Sequence, residues 1–243
     1  PGLAMLEEKT HLPVLGVVPY LKVDIEDEDS LSERLDAKNS VKPLDAAIIR
    51  LPKLSNFTDF IPLEQHPLLG VRYVDSARTL GAPDCILLPG TKNTVDDLLW
   101  LRQCGLEAAI LKQAAAGTPV LGVCGGYQML GRTLDDSAAT ESGRSQTLRG
   151  LGLLPTSTVF SAEKRRTQVC ATAAAGGPFA GAALTGYEIH TGRTVVEGEP
   201  FDTLADGTPE GCVCGNVFGT YLHGLFDTGE LTEKLTDRKS TRL

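Results

Sequence analysis

"VLGVCGGYQMLG", residues 120 to 131, decides how this chain is read. An apolar run leads into Cys124, two glycines follow, and a short amphipathic stretch closes the segment. A strand, a nucleophile and a helix in that order form an elbow, which lifts the side chain above the carboxyl edge of a sheet. Gly122 and Gly126 flank Cys124 at two-residue spacing and leave room for close backbone packing around a strained turn. The helix that follows aims its unpaired backbone N–H groups and its dipole at the sulfur, which favours a thiolate and can hold an oxyanion. The plainer alternative is a buried cysteine at a strand end before a Gly-rich turn.

The segments upstream repeat the same strand texture. "LPVLGVVPYL" (12 to 21) reads as a buried strand ending at Pro19, and a polar, acidic stretch follows, with a boundary near residue 40. "LDAAIIRLP" (44 to 52), "VRYVDS" (71 to 76) and "DCILLPG" (84 to 90) read as further strands. Residues 94 to 117 form one long helical pattern, with Leu98, Leu101 and Leu106 near one face and Gly117 closing it. Thr94 reads as its N-cap, with Asp96 and Asp97 in the first turn, where the dipole favours acids. Apolar strands without alternation, separated by helices, predict an α/β fold around a parallel sheet covered on both faces. After residue 150 the segments become short, Gly-punctuated and β-rich, which predicts antiparallel strands added to that core in the C-terminal half. "ELTEKL" (230 to 235) closes the domain as a helix, and residues 236–243 read as a polar tail.

Bulk properties narrow the function classes. The chain has 243 residues, 42% hydrophobic and 22% charged, enough for a sizeable core. A net charge of −8 argues against nucleic acid and anionic membranes as partners. No apolar run reaches the ~18 residues of a membrane span. The N-terminus, Pro1-Gly2-Leu3, carries neither a signal-peptide pattern nor an initiator Met, and the chain reads as a piece of something longer. Six cysteines without a CxxC pair predict reduced thiols, a cytoplasmic protein and no metal site.

A thiol nucleophile needs a base. The four histidines are His11 and His66, in segments that read as loops, and His190 and His223, in the β-rich half. "FGTYLHGLF" (218 to 226) presents His223 after an apolar strand and beside Gly224; His190, in "GYEIHTGR", competes with it.

"GVCGGYQ" resembles the G-x-C-x-G-x-Q pattern of class I, or triad, glutamine amidotransferases, with Cys124, Gly126 and Gln128 on its marked positions. "RLPKLSNFTDF" (50 to 60), "LPGTKNTVDDLLWLR" (88 to 102), "GLGLLPTSTVF" (150 to 160), "GYEIHTGRT" (186 to 194) and "GTYLHGLFD" (219 to 227) resemble the cobyric acid synthase branch, in family order. The resemblance implies a glutamine amidotransferase domain over residues 41–235, and residues 1–40 as the tail of the ATP-using synthetase domain that precedes it. It implies hydrolysis of L-glutamine by Cys124, with His223 as acid and base and the N–H of Gly125 holding the oxyanion. A second oxyanion donor comes from the Gly90 loop, while Gln128 and Arg193 contact the substrate. The ammonia then serves amidation of adenosylcobyrinic acid a,c-diamide, a corrinoid. ATP and Mg²⁺ belong to the synthetase domain, whose phosphate-binding loop is not in this sequence, so no cofactor is expected here. Other readings are the amidotransferase subunit of a lipid II amidating complex, a peptidase on the same elbow, and a non-catalytic domain that retains Cys124.

One position departs from the triad pattern. Where a glutamate is usual, two residues beyond His223, stands Leu225. The expectation is therefore a Cys-His dyad with no Asp or Glu carboxylate in hydrogen-bonding distance of His223. Glu188 is the single exception considered, either as orienter of the imidazole or as partner of Arg193.

Overall fold

The computed structural model describes residues 2–17, 42–174 and 179–240. A short helix, α1 (Gly2–Thr10), buries none of its side chains. The strand expected over 12 to 21 does not form over residues 12–17, which are largely exposed, and its remainder lies outside the described residues, as does the acidic stretch to residue 41. The α/β unit then runs β1 (Leu44–Ile49), a 3₁₀ turn (Phe57–Phe60), α2 (Ile61–Gln65), β2 (Leu69–Val74), α3 (Ala77–Leu80) and β3 (Cys85–Leu88). It continues with α4 (Thr94–Gln103), α5 (Leu106–Ala115), β4 (Val120–Val123) and α6 (Gly125–Leu130). The C-terminal half supplies β5 (Thr133–Asp136), β6 (Gln146–Arg149), β7 (Thr156–Ala173), β8 (Ala183–Val196), β9 (Asp202–Leu204) and β10 (Pro209–Glu210). β11 (Cys212–Cys214), β12 (Val217–Thr220), β13 (Leu222–His223) and α7 (Glu230–Ser240) complete it.

Two sheets result. The first has the order β11-β12-β4-β3-β1-β2, parallel throughout except for the β11–β12 edge. Its strands lack alternation because both faces are covered. Ala46, Ile48, Cys85, Leu87, Leu121 and Val123 face one core with Phe60, Leu63 and Leu231. Ala47, Ile49, Ile86, Leu88 and Val120 face the other, with Leu98, Leu101, Leu106 and Ile110 from α4 and α5. Each fully buried leucine contributes roughly 1.5–3 kcal/mol by leaving water. The second sheet is mostly antiparallel and centres on the long β7–β8 ribbon, from which β13 hangs. The added strands thus build a sheet of their own, and only β11 and β12 join the parallel core.

Three features of the helices differ from the sequence reading. The pattern over 94 to 117 is two helices, because Gly105 takes φ +78 and turns the chain between α4 and α5. Both pieces still present their leucines to one core, so the apolar spacing survives the break. Asn93, not Thr94, caps α4: its side chain accepts from the Asp96 N–H at 2.8 Å. That frees the Thr94 hydroxyl for a bond across to Gln128. Helix α7 extends beyond 235 to Ser240, into the stretch expected to be a tail.

Candidate active site

Cys124 sits between β4 and α6 with φ 52, ψ −111, a backbone conformation that costs a non-glycine residue of order 1–3 kcal/mol. Its neighbours hold it there. The Cys124 N–H donates to Thr220 O at 2.9 Å, tying the elbow to the end of β12. A Cβ on Gly126 would stand 2.1 Å from Leu88 O, so only glycine lets α6 lie against β3. Gly125 packs on the loop after β3 in the same way, where a Cβ would meet Thr91 Cγ2 at 2.6 Å. The half-buried thiol projects toward β8 and lies 3.5 Å from Ile189 O.

His223 lies on β13, opposite Tyr187 of β8 in the register, with the Tyr187 ring stacked on it at 5.2 Å. It is 1% exposed. Its Nδ1 meets Asp59 Oδ2 at 2.7 Å, and Asp59 Oδ1 accepts the Gly224 N–H at 3.1 Å. Asp59 is buried in the 3₁₀ turn between Phe57 and Phe60. Nε2 is buried and makes no hydrogen bond, while the nearby Cys124 side chain acts on the charge of the ring. Burial alone would lower the imidazole's pKa. The hydrogen bond to Asp59, the contact with Cys124 and both partners' charges outweigh it and raise the imidazole to about 10.

This corrects the dyad expectation. A carboxylate does orient His223, and it comes from a turn 164 residues upstream rather than from the position held by Leu225. Leu225 is fully buried among Phe60, Phe226 and Leu231 in the second core, where a glutamate would lose its hydration. Glu188 is not the orienter. It faces Leu222 in the register and pairs with Arg165 at 2.7 Å, not with Arg193. Burial raises its pKa and Arg165 works against that rise. Glu188→Gln is expected to cost glutamine turnover about tenfold or less, because it breaks a strand-to-strand ion pair and nothing on the imidazole. A steady-state assay of ammonia release checks this.

His190 shares a pocket with Cys124, but its ring stacks on Tyr221 at 3.6 Å and no carboxylate is bonded to it. Burial pushes its imidazole down to about 4, so it is neutral where His223 is charged. The Cys124 pocket, about 370 Å³, is bordered by Thr91, Lys92, Thr94, Gln128, Glu141 and Lys164, among others. Gln128 is buried and its amide is bonded within the protein, to Thr94, Thr191 O and Tyr221 OH. Gly90 lies beside His223, where a Cβ would stand 3.2 Å from the ring's Cε1. Arg193 is exposed and borders a separate cavity of about 620 Å³ that has Glu188 and Glu210 in its wall. All six cysteines are free, and Cys212 and Cys214 alternate in burial along β11.

An elbow thiol, a buried imidazole and a carboxylate on its far nitrogen are the parts of a thiol hydrolase. Comparison with known proteins says which kind. Residues 45–231 match the CobB/CobQ-like glutamine amidotransferase domain. The chain belongs to that family. Among the relatives of this CobB/CobQ-like chain is a cobyric acid synthase of Ruminiclostridium cellulolyticum, 48% identical over 97% of the chain and 48% of the relative. A cobyric acid synthase of Synechococcus elongatus is 47% identical over 94% of the chain and 47% of the relative. The chain spans about half the length of the curated relatives it matches. Among solved structures, PurLQS from Thermotoga maritima superposes with a TM-score of 0.61 at 20% identity, covering 82% of this chain and 99% of that one. A glutamine amidotransferase crystal structure superposes at 0.55 with 18% identity, over 80% and 95% of the two chains. These two likenesses show the class I amidotransferase fold. Among the described residues, no helix is long and apolar enough to cross a membrane.

Proposed function

We propose that this chain is the glutaminase half of a cobyric acid synthase and hydrolyses L-glutamine through Cys124, His223 and Asp59. The observation that carries the reading is the line from the strained elbow thiol to a buried imidazole held by Asp59 at 2.7 Å. The Cys124 sulfur attacks the side-chain amide carbon, and the tetrahedral oxyanion is met by the Gly125 N–H and a donor of the Gly90–Thr91 loop packed against it. The imidazolium of His223 gives its proton to the leaving nitrogen, which departs as ammonia and leaves a thioester. The neutral ring then takes a proton from water, whose oxygen attacks the thioester, releasing glutamate and restoring the thiol. Lys92 and Lys164 offer positive charge to the substrate's α-carboxylate inside the pocket, and Glu141 offers negative charge to its α-ammonium. Arg193, from the neighbouring cavity, stands further from that role. Gln128 acts by holding Thr191 in the pocket wall and Tyr221 in the wall of the neighbouring cavity.

The ammonia serves a synthetase domain of the full-length protein, which supplies ATP and Mg²⁺ and amidates a corrinoid carboxylate. Residues 41–235 are the amidotransferase domain in this reading, and residues 1–40 are the end of the synthetase domain. Incubating the full-length protein with a glutamine-derived diazoketone, followed by peptide mass mapping, tests the first step. A stoichiometric adduct on Cys124, blocked by glutamine, supports the reading; an unlabelled Cys124 overturns it. Transfer of ¹⁵N from amide-labelled glutamine into corrinoid amides tests the second.

A further inference from the structure

Glu210, at the end of β10, makes two hydrogen bonds to one corner of the chain. Its Oε2 accepts from Thr220 Oγ1 at 2.5 Å and its Oε1 accepts from the Tyr221 N–H at 2.9 Å. That corner is where the backbone leaves β12 in the parallel sheet and enters β13 in the second sheet. Thr220 O receives the Cys124 N–H, and His223 lies two residues beyond Tyr221. One carboxylate therefore fixes the peptide that links the elbow of the nucleophile to the strand of the base.

Glu210 has a neighbour that the mechanism does not use. Asp202, on β9, is directly opposite it in the antiparallel register and is 0% exposed. Neither Asp202 oxygen accepts a hydrogen bond of normal geometry. A carboxylate so placed is costly to bury, whereas a protonated Asp202 can donate to Glu210. The two carboxyls then share one proton, and Glu210 keeps its negative charge on the oxygens that serve Thr220 and Tyr221.

We infer that the Asp202–Glu210 carboxyl pair, holding one proton, positions the nucleophile and the base by clamping the Thr220–Tyr221 corner. Burial raises the pKa of both acids and Glu188 on β8 adds to the rise; the charge of Glu210 raises Asp202 further, whereas hydrogen bonds from Thr220, Tyr221 and the Asp202 carboxyl work against the rise at Glu210. The other titratable groups around the pair are Tyr127 on α6, Tyr221 in the corner, Cys212 on β11 and, across the cavity that Glu210 borders, Glu163 on β7 with His190 and Arg193 on β8, while Arg165 on β7 is already engaged by Glu188. As pH rises, the shared proton is lost, two carboxylates face each other, and the corner loosens.

The inference rests on the glutaminase reading, so the experiment compares variants with an active parent. In the full-length protein, Glu210→Gln puts an amide NH₂ against one of the two donors and breaks one bond. It is expected to lower kcat about tenfold with KM within about twofold, and to slow alkylation of Cys124 by iodoacetamide. Asp202→Asn donates to Glu210 permanently. It is expected to match the parent within about twofold near pH 7 and to exceed it increasingly from pH 9 upward, as the parent pair loses its proton. The ratio of the two pH profiles cancels the titration of His223, which both proteins share. A Glu210→Gln protein that melts lower but keeps kcat within about twofold overturns the inference, as does an Asp202→Asn to parent ratio that stays flat with pH. A parent without glutaminase activity would instead sink the functional reading, and iodoacetamide alkylation would still report on the clamp.

Discussion

Cys124→Ala in the full-length protein is expected to abolish ammonia release from glutamine, a loss on the order of 10⁶ as when a hydrolase triad loses its nucleophile. The fold should survive. Alanine inherits the φ 52 backbone no more strained than cysteine does, and the bond from the residue 124 N–H to Thr220 O is made by the main chain. The neighbouring packing contacts of Gly125 and Gly126 are likewise untouched. Amidation driven by added ammonium salt should persist, because free ammonia bypasses the thiol. Measuring both activities on one preparation checks the assignment. Glutaminase activity that survives in Cys124→Ala removes the central claim, and loss of both activities points to unfolding instead.

The contrast between Cys124 and Asp59 shows what a single sequence discloses. Cys124 is legible because its whole setting is local: an apolar strand, two glycines at fixed spacing and the next helix all fall within residues 120 to 131. The parallel core is legible for a similar reason, since strands covered on both faces have no polar positions to alternate. Asp59 is not legible that way. It meets His223 across 164 positions, and no spacing rule connects a 3₁₀ turn after β1 to a strand near the end of the domain. The available signal was an acid flanked by Phe57 and Phe60, since a carboxylate inside an apolar run is unusual without a partner. The long helix failed through a different cause. A glycine inside a helix costs only about 1 kcal/mol, so Gly105 could have been tolerated; the left-handed turn it adopts is set by packing of both leucine faces on one core. The Asp202–Glu210 pairing belongs with Asp59, because strand register alone brings those acids together.

Asp59→Asn is expected to lower kcat for glutamine by a factor on the order of 10⁴, the size measured when the aspartate of a Ser-His-Asp triad becomes asparagine. The asparagine preserves shape and can still accept the Gly224 N–H. What it loses is the negative charge, 2.7 Å from Nδ1, that stabilises the imidazolium and fixes the tautomer with Nε2 toward Cys124. Two forces act on the His223 pKa in opposite directions: burial lowers it, and Asp59 with Cys124 raises it to about 10. Without the Asp59 charge the balance tips toward burial, so the ring gives up its proton at lower pH and has none for the leaving ammonia. The alkaline limb of kcat/KM should therefore move down in pH, and Asp59→Glu, which keeps the charge, should leave it higher than Asp59→Asn does. Stability carries the same sign. A histidine whose folded pKa stands above its ordinary 6.5 contributes stability that is fully present below 6.5 and is lost as pH rises through about 10. The melting-temperature gap between the parent and Asp59→Asn should thus narrow from neutral pH toward pH 10. A variant that keeps the parent's alkaline limb, or turns over within about tenfold of it, would return His223 to a dyad with Cys124 and leave Asp59 as a packing acid.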